Sequence, residues 1–232
     1  MINIVFEHRD FVIVDKPVGM LMHDSERGIV LSSERETGAE KLHLCHRLDT
    51  GTSGCVILAK HPAAAAKFQR LFSQRKIKKF YLAVADQKPN RKQGTVIGDM
   101  KNRRRGQYIL VKTRENPAVT QFFSSAIEAG RRGFLVKPLT GKTHQIRVAL
   151  KSLGSPILGD SLYGGNACDR MYLHAWQLKF EYDDEVITCT SEPSDGEIFR
   201  SSTFGSWLAK HSAPDNLRWP DFKLPSLKNV HS

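Results

Sequence analysis

The sequence predicts one mixed α+β domain, a mainly antiparallel β-sheet with flanking helices, and three observations carry that prediction. Apolar runs of strand length recur along the chain, Phe11-Val12-Ile13-Val14 and Val56-Ile57-Leu58-Ala59 among them, and other segments alternate with period two. Few stretches read as helices, and two of these carry a start or stop signal. No repeat, and no linker long enough to separate two domains, interrupts the 232 residues, a length that can bury a sizeable core.

Taken in order, residues 3–8 and 10–16 read as two short strands that run into the turn Lys16-Pro17-Val18-Gly19. The polar residues 24–41 read as a loop. Residues 55–60 suit a buried strand. His61-Pro62 then opens a helix whose proline falls at an early, tolerated position, with Phe68, Leu71 and Phe72 following. Residues 78–85 alternate as a strand does, whereas 86–106, rich in Lys, Arg, Asn and Gly, read as an irregular basic segment. Strands are expected at 107–112, 119–127 and 134–138, the last two joined by the turn Ala129-Gly130-Arg131-Arg132-Gly133. Residues 143–153 fit an amphipathic helix stopped by Gly154. Residues 172–180 alternate again, and a last helix is expected over 195–210. The reading assigns 1–212 to the folded domain and 213–232 to a tail containing Pro214, Pro220 and Pro225.

Composition narrows the function. With 35 Lys+Arg against 24 Asp+Glu the net charge is +11, which favours a polyanionic partner through counterion release. No strongly amphipathic basic helix accompanies that charge, so nucleic acid is a better expectation than a membrane surface. No run approaches the roughly 18 apolar residues of a membrane span. Glu7, Arg9 and Asp10 occupy the place where a secretion signal needs its apolar segment, and the four cysteines form no C-x-x-C pair. Free thiols and a cytoplasmic location are expected, with a monomer as the default state.

The segment richest in chemistry is His46-Arg47-Leu48-Asp49-Thr50-Gly51-Thr52-Ser53-Gly54. Gly51 and Gly54 let the backbone bend and a ligand approach, Thr52 and Ser53 offer hydroxyls, and Arg47 can hold Asp49 ionised by opposite charge. Such a carboxylate suits a nucleophile or an electrostatic stabiliser better than a general acid. The same residues also suit a plain Asx turn. Asp49-Thr50-Gly51-Thr52 further matches the D-T-G of aspartic proteases, but a protease dyad needs two carboxylates and this chain has a single D-T-G. His43, His46 and Asp49 share a spacing of three that metal ligands can use on a helix, yet the segment runs into a Gly-rich loop and no Cys or Glu completes a set.

Several segments taken together resemble the RluA family of RNA pseudouridine synthases. The 46–54 segment resembles that family's catalytic H-R-L-D-x-x-T-S-G. Lys78-Lys79-Phe80-Tyr81-Leu82-Ala83-Val84 is similar to its second motif, and Gly141-Lys142-Thr143-His144-Gln145-Ile146-Arg147 to its third, G-R-T-H-Q-[IL]-R. Gly154-Ser155-Pro156-Ile157-Leu158-Gly159-Asp160-Ser161-Leu162-Tyr163-Gly164 follows in the family's order. Asp15-Lys16-Pro17-Val18-Gly19-Met20 precedes these motifs and Tyr172-Leu173-His174-Ala175 comes after them, so the resemblance covers roughly residues 10–180. Lys142 stands where the family usually has Arg, and Ala149 and Ser155 replace frequent histidines, exchanges expected to bear on RNA contacts rather than on catalysis. Many members carry an N-terminal S4 RNA-binding domain. This sequence opens at the catalytic domain, as shorter members do, so RNA capture is expected from that domain and the tail.

The resemblance implies isomerisation of uridine to pseudouridine in tRNA, rRNA or both, with neither redox nor hydrolysis and hence no metal or cofactor. It implies that Asp49 is the catalytic carboxylate, that Tyr81 stacks on the target base and assists proton transfer, and that Arg147 pairs with Asp49. Leu173 would pack under the uracil. Arg47 is either a charge partner of Asp49 or a wedge where the base leaves the stack. Lys79, Thr143, His144 and Gln145 would contact RNA within the site. Among the basic clusters, Lys101-Asn102-Arg103-Arg104-Arg105 is the preferred phosphate contact, expected in a segment free to follow a folded RNA. The competing class is a catalytically silent RNA-binding module on the same fold, against which the intact Asp49, Tyr81 and Arg147 argue.

Overall fold

The computed structural model describes residues 2–22 and 26–222. Its first strands, β1 (Asn3–Glu7) and β2 (Phe11–Lys16), pair antiparallel, and β2 lies in turn antiparallel to β4 (Ser53–Ala59). Both β2 and β4 are covered on two faces, which is why their sequences are continuous apolar runs. Phe11, Ile13, Cys55, Ile57 and Ala59 pack against Phe68 of α2 (Pro62–Ser73); Val12, Val14, Val56 and Leu58 pack on the other side, with Ile29 of α1 (Ile29–Thr37) and with Leu48.

Helix α1 falls within residues 24–41, where a loop was expected. Its buried face is only Ile29, Val30 and Ser33, too short a pattern to stand out among polar neighbours, and it stops at Gly38 with φ +69°. Helix α2 starts as expected: Pro62 takes the first turn and His61 Nδ1 accepts the Ala64 N–H at 3.2 Å.

The remaining strands are β3 (His43–Leu44), β5 (Lys78–Ala85), β6 (Gln93–Asn102), β7 (Tyr108–Val111), β8 (Ala118–Glu128), β9 (Arg131–Pro138), β10 (Leu173–Tyr182) and β11 (Glu185–Thr190). The irregular basic segment expected at 86–106 therefore contains a ten-residue strand, β6. The outer end of β6 pairs with β7 as a two-stranded arm, from Asp99 opposite Val111 to Asn102 opposite Tyr108. An arm with little core beneath it shows no apolar alternation, and its tip, 103–107, is a tight exposed turn. Alternation in β10 is interrupted by a register shift between Ala175 and Gln177. Helix α3 (Gln145–Ser152) matches expectation, with Gly154 at φ +74° beyond its end. The last helix, α4 (Ser202–Ala209), is shorter than expected because Ser201 begins it, accepting the Phe204 N–H at 3.2 Å.

The eleven strands of the described residues form one sheet in the order β1-β2-β4-β10-β5-β9-β8-β6-β7, with β3 beside β4 and β11 beside β10. The two halves meet at a narrow junction, where β4 and β10 run parallel over only two residue pairs, Ser53 with His174 and Gly54 with Ala175. Gly54 has φ +111°, and a Cβ there would lie 2.2 Å from the Ala175 carbonyl oxygen, so this approach needs glycine. A buried polar clasp locks the junction. Arg170 donates to Ser53 Oγ (2.7 Å), the Ser53 hydroxyl meets His174 Nδ1 (2.8 Å), and His174 Nε2 donates to the Ser191 carbonyl (2.7 Å).

Past α4 the chain returns to the sheet. Asp215 accepts from Lys78 (3.2 Å) and Lys179 (2.5 Å), and Trp219 packs on Phe123 and Phe80. Of the segment read as a tail, residues 223–232, with Pro225, lie outside the described residues. No helix among the described residues is long and apolar enough to cross a membrane.

Candidate active site

The 45–52 loop joins β3 to β4 beside the sheet junction, and its side chains are fixed in different directions. His46 turns inward: its Nε2 accepts the Ile57 N–H at 3.0 Å, and burial lowers the imidazole to about 3, so the ring is neutral. A nitrogen spent on the backbone is not a metal ligand. Among the described residues no cluster of three His, Cys, Asp or Glu is placed to hold a metal ion. Leu48 is buried under α1 while Arg47 is exposed. The Thr52 N–H closes a turn onto the Asp49 carbonyl at 2.9 Å. From outside the loop, the Gly19 N–H (2.8 Å) and Lys16 Nζ (3.1 Å) both donate to the Thr50 carbonyl. Lys16 is wholly buried, and burial, reinforced by Arg170, lowers its ammonium to about 8.

These restraints present the Asp49 side chain, 25% exposed, to the first turn of α3. There Arg147 Nη1 donates to Asp49 Oδ2 at 3.1 Å. The same guanidinium grips a second carboxylate through two bonds, Nε to Asp160 Oδ2 at 2.7 Å and Nη2 to Asp160 Oδ1 at 2.8 Å. A planar fork matches a carboxylate in this way, and an ammonium would not. Asp160 is 2% exposed and follows Gly159, whose φ is +80° and where a Cβ would collide with the Arg170 carbonyl at 1.8 Å. Two carboxylates thus share one arginine, not a proton as in a protease dyad.

Around Asp49 opens a cleft of about 1160 Å³, large enough for a nucleotide. Tyr81 on β5 and Leu173 on β10 contribute to its walls, and burial together with the charge of Asp49 pushes the Tyr81 phenol well up, leaving it protonated at neutral pH. His144 stands immediately before α3 with φ +56°. Its Nδ1 lies 2.9 Å from the Tyr163 hydroxyl and its Nε2 3.9 Å from Asp49 Oδ1. Lys79 lines the same cleft, lowered to about 8 by burial. Thr143 is exposed at the rim.

Of the residues singled out from sequence, Arg47, Asp49, Lys79, Tyr81, Thr143, His144, Gln145, Arg147 and Leu173 all border this one cleft. Gln145, however, spends its amide on the protein: Oε1 accepts from Thr140 (2.6 Å) and the Lys142 N–H (3.0 Å), and Nε2 donates to the Val119 carbonyl (3.1 Å) and Thr120 (3.0 Å). It ties α3 to β8 rather than reaching toward a ligand. Lys101, Arg103, Arg104 and Arg105 lie outside the cleft, exposed at the end of the β6–β7 arm. The arm that carries them is anchored to the fold. Beyond the tip, Gln107 donates to the Leu162 carbonyl (2.7 Å) and the Tyr108 N–H to the Tyr163 hydroxyl (3.0 Å), both at the cleft's edge. Ala149 and Ser155, which stand where histidines are frequent, are buried and do not border the cleft, and Ser155 is bonded to the Gln87 carbonyl.

Sequence reasoning missed Asp160, Lys16 and Tyr163 as members of the site. Each sits in a segment already noticed, Asp160 and Tyr163 in the Gly154–Gly164 stretch and Lys16 in the Lys-Pro turn, but nothing in local spacing says what each touches.

A family model described as RNA pseudouridylate synthase matches residues 10–152. A Haemophilus influenzae protein described as an RNA pseudouridine synthase is 49% identical over 206 residues, spanning 87% of this chain and 92% of that one. A Bacillus subtilis protein of the same description is 36% identical over 210 residues, 84% of this chain and 70% of its own length. Among solved structures, human RNA pseudouridylate synthase domain containing 1 superposes with a TM-score of 0.70 at 28% identity, covering 83% of this chain and 84% of that one.

Proposed function

The chain belongs to the RNA pseudouridylate synthase family, and on that premise we propose that Asp49 is the carboxylate on which its isomerisation of uridine in RNA depends. The observation that carries the proposal is the shared clamp of Arg147, which fixes Asp49 against a buried Asp160 beside a nucleotide-sized cleft. In this reaction the bond from ribose C1′ to uracil N1 breaks and one to C5 forms; C5 loses a proton and N1 gains one. Atoms and oxidation state are conserved, so the chemistry calls for no cofactor. Attack on the sugar, attack on the base and removal of a ribose proton would each need a carboxylate anchored beside the C1′–N1 bond.

A base inside a helix cannot reach such a site and must leave its stack. Tyr81 and Leu173 then hold the extruded uracil, Tyr81 by stacking, a contact worth about 1–3 kcal/mol per base. Arg47, exposed at the cleft, takes the place the base vacates. Lys79 supplies charge close to the target, where a phosphate would restore the ammonium that burial weakens. The arm carrying Lys101 and Arg103 to Arg105 contacts phosphates further along, and Thr143 and His144 complete the rim.

Structured RNA, tRNA or rRNA, is the proposed substrate class. The test is tritium release from each of the two RNA pools carrying 5-tritiated uridine. The native chain should release tritium from at least one and Asp49→Ala from neither. No release from either pool by the native chain would sink the assignment.

A further inference from the structure

His144 is not accounted for by the ion pairs of the site. Its left-handed backbone is uncommon for a residue with a side chain, and it is held from both sides. The Gln145 N–H donates to the Lys142 carbonyl at 3.1 Å and the Val148 N–H to the His144 carbonyl at 2.9 Å. The imidazole does not cap its own helix. It stands between Tyr163 and Asp49, and the bonding of Tyr163 favours one ring tautomer. With the Tyr108 N–H on one lone pair of the Tyr163 oxygen, the arrangement that gives the hydroxyl proton an acceptor has it donating to His144 Nδ1. Nδ1 is then an acceptor, and the neutral ring keeps its proton on Nε2, facing Asp49. At 3.9 Å that last approach is too long for a hydrogen bond, a looseness common before substrate fills a site.

We propose that His144 is a positioning residue for Asp49, its Nε2 proton aimed at the carboxylate by a relay running from the Tyr108 backbone through the Tyr163 hydroxyl. The relay starts on the strand that follows the Arg103–Arg105 turn, so it joins the RNA-binding arm to the reacting carboxylate. The inference rests on Asp49 being the essential group. The groups facing His144 are Asp49 from the loop, Arg147 from α3, Asp160 and Tyr163 from the stretch after α3, and the Tyr108 ring from β7. Both carboxylates favour the imidazolium, while burial and Arg147 oppose it.

Nitrogen-15 NMR of the His144 ring in the full chain, native and Tyr163→Phe, tests the relay alongside kcat and KM from tritium release. Tyr163→Phe keeps the ring that lies 4.9 Å from the Arg147 guanidinium and removes only the hydroxyl. The native ring should be the Nε2–H tautomer. In the variant Nδ1 loses the hydrogen bond that favours its unprotonated form, so its titration should rise. Turnover at neutral pH should fall about 2- to 12-fold with KM for RNA unchanged, and the loss should shrink as pH falls through that titration, because the imidazolium carries its Nε2 proton whatever Tyr163 does. An Nδ1–H tautomer in the native chain overturns the relay even if the variant fails to fold. Unchanged titration and kcat in a folded variant overturn it equally. Retained release by Asp49→Ala would instead sink the underlying assignment, whereas a wrong tautomer with an inactive Asp49→Ala sinks only the relay.

Discussion

Arg147 makes three hydrogen bonds to two carboxylates, and removing it leaves an uneven residue behind. Asp160, whose side chain is 1% exposed, would lose both bonds of its fork and remain a buried charge. Breaking a buried pair from one side typically costs about 3–5 kcal/mol. Arg147→Ala should therefore lower stability by that order in urea denaturation and cut tritium release at least about 100-fold, the loss of an interaction worth roughly 3 kcal/mol at the reacting group. RNA binding should survive largely intact in a filter assay, since the basic arm is untouched. Arg147→Lys should rescue little, because a point charge cannot hold two carboxylates at the angles the fork does. Near-normal turnover in either variant would remove the Asp49 pairing from the mechanism.

The β6–β7 arm is the element whose role is easiest to isolate, because its turn lies outside the cleft. Arg103→Ala, Arg104→Ala and Arg105→Ala combined should weaken RNA binding and reduce the slope of log affinity against log salt by roughly 2–3, if each arginine meets one phosphate. Turnover at saturating RNA should hold; an unchanged slope would exclude the arm as a phosphate contact. This element also shows where sequence patterning stops being informative. Strands β2, β4 and β5 were legible because a core marks one or both faces with apolar residues. Strand β6 was not, since β7 is the one strand its outer end pairs with among the described residues, nor α1, whose buried face is three residues. The site divided in the same way. Asp49, Tyr81 and Arg147 stood out within recognisable motifs, but Asp160 became meaningful only once folding brought it under Arg147, and Lys16 only once its ammonium reached the Thr50 carbonyl.

Across the whole molecule, two histidines set an acid limit. Burial lowers His46 to about 3 and His174 to about 4, and each serves a fixed partner while neutral. In the unfolded chain both would titrate near 6.5, so below that pH the unfolded state binds more protons than the folded one. Their contribution is fully present above about pH 6.5 and is lost as pH falls toward their folded values. Between roughly pH 6 and 4 the two together contribute a slope of about 2.7 kcal/mol per pH unit. Urea denaturation at pH 7, 6 and 5 should show that loss beginning below pH 6.5; flat stability across this range would contradict the burial of both rings.

The junction at Gly54 and Ala175 also orders events in time. Asp49 leaves the ribosome early, but the strand that completes its wall and the arginine that holds it come about 100 residues or more later in the chain. At a synthesis rate of about 5–20 residues per second, the interval is on the order of 10 s. On the proposed role of Asp49, a nascent chain stalled before residue 147 would expose the Asp49 segment with neither partner in place and should not modify RNA. Competence should appear abruptly, once β10 docks beside β4, rather than growing with length.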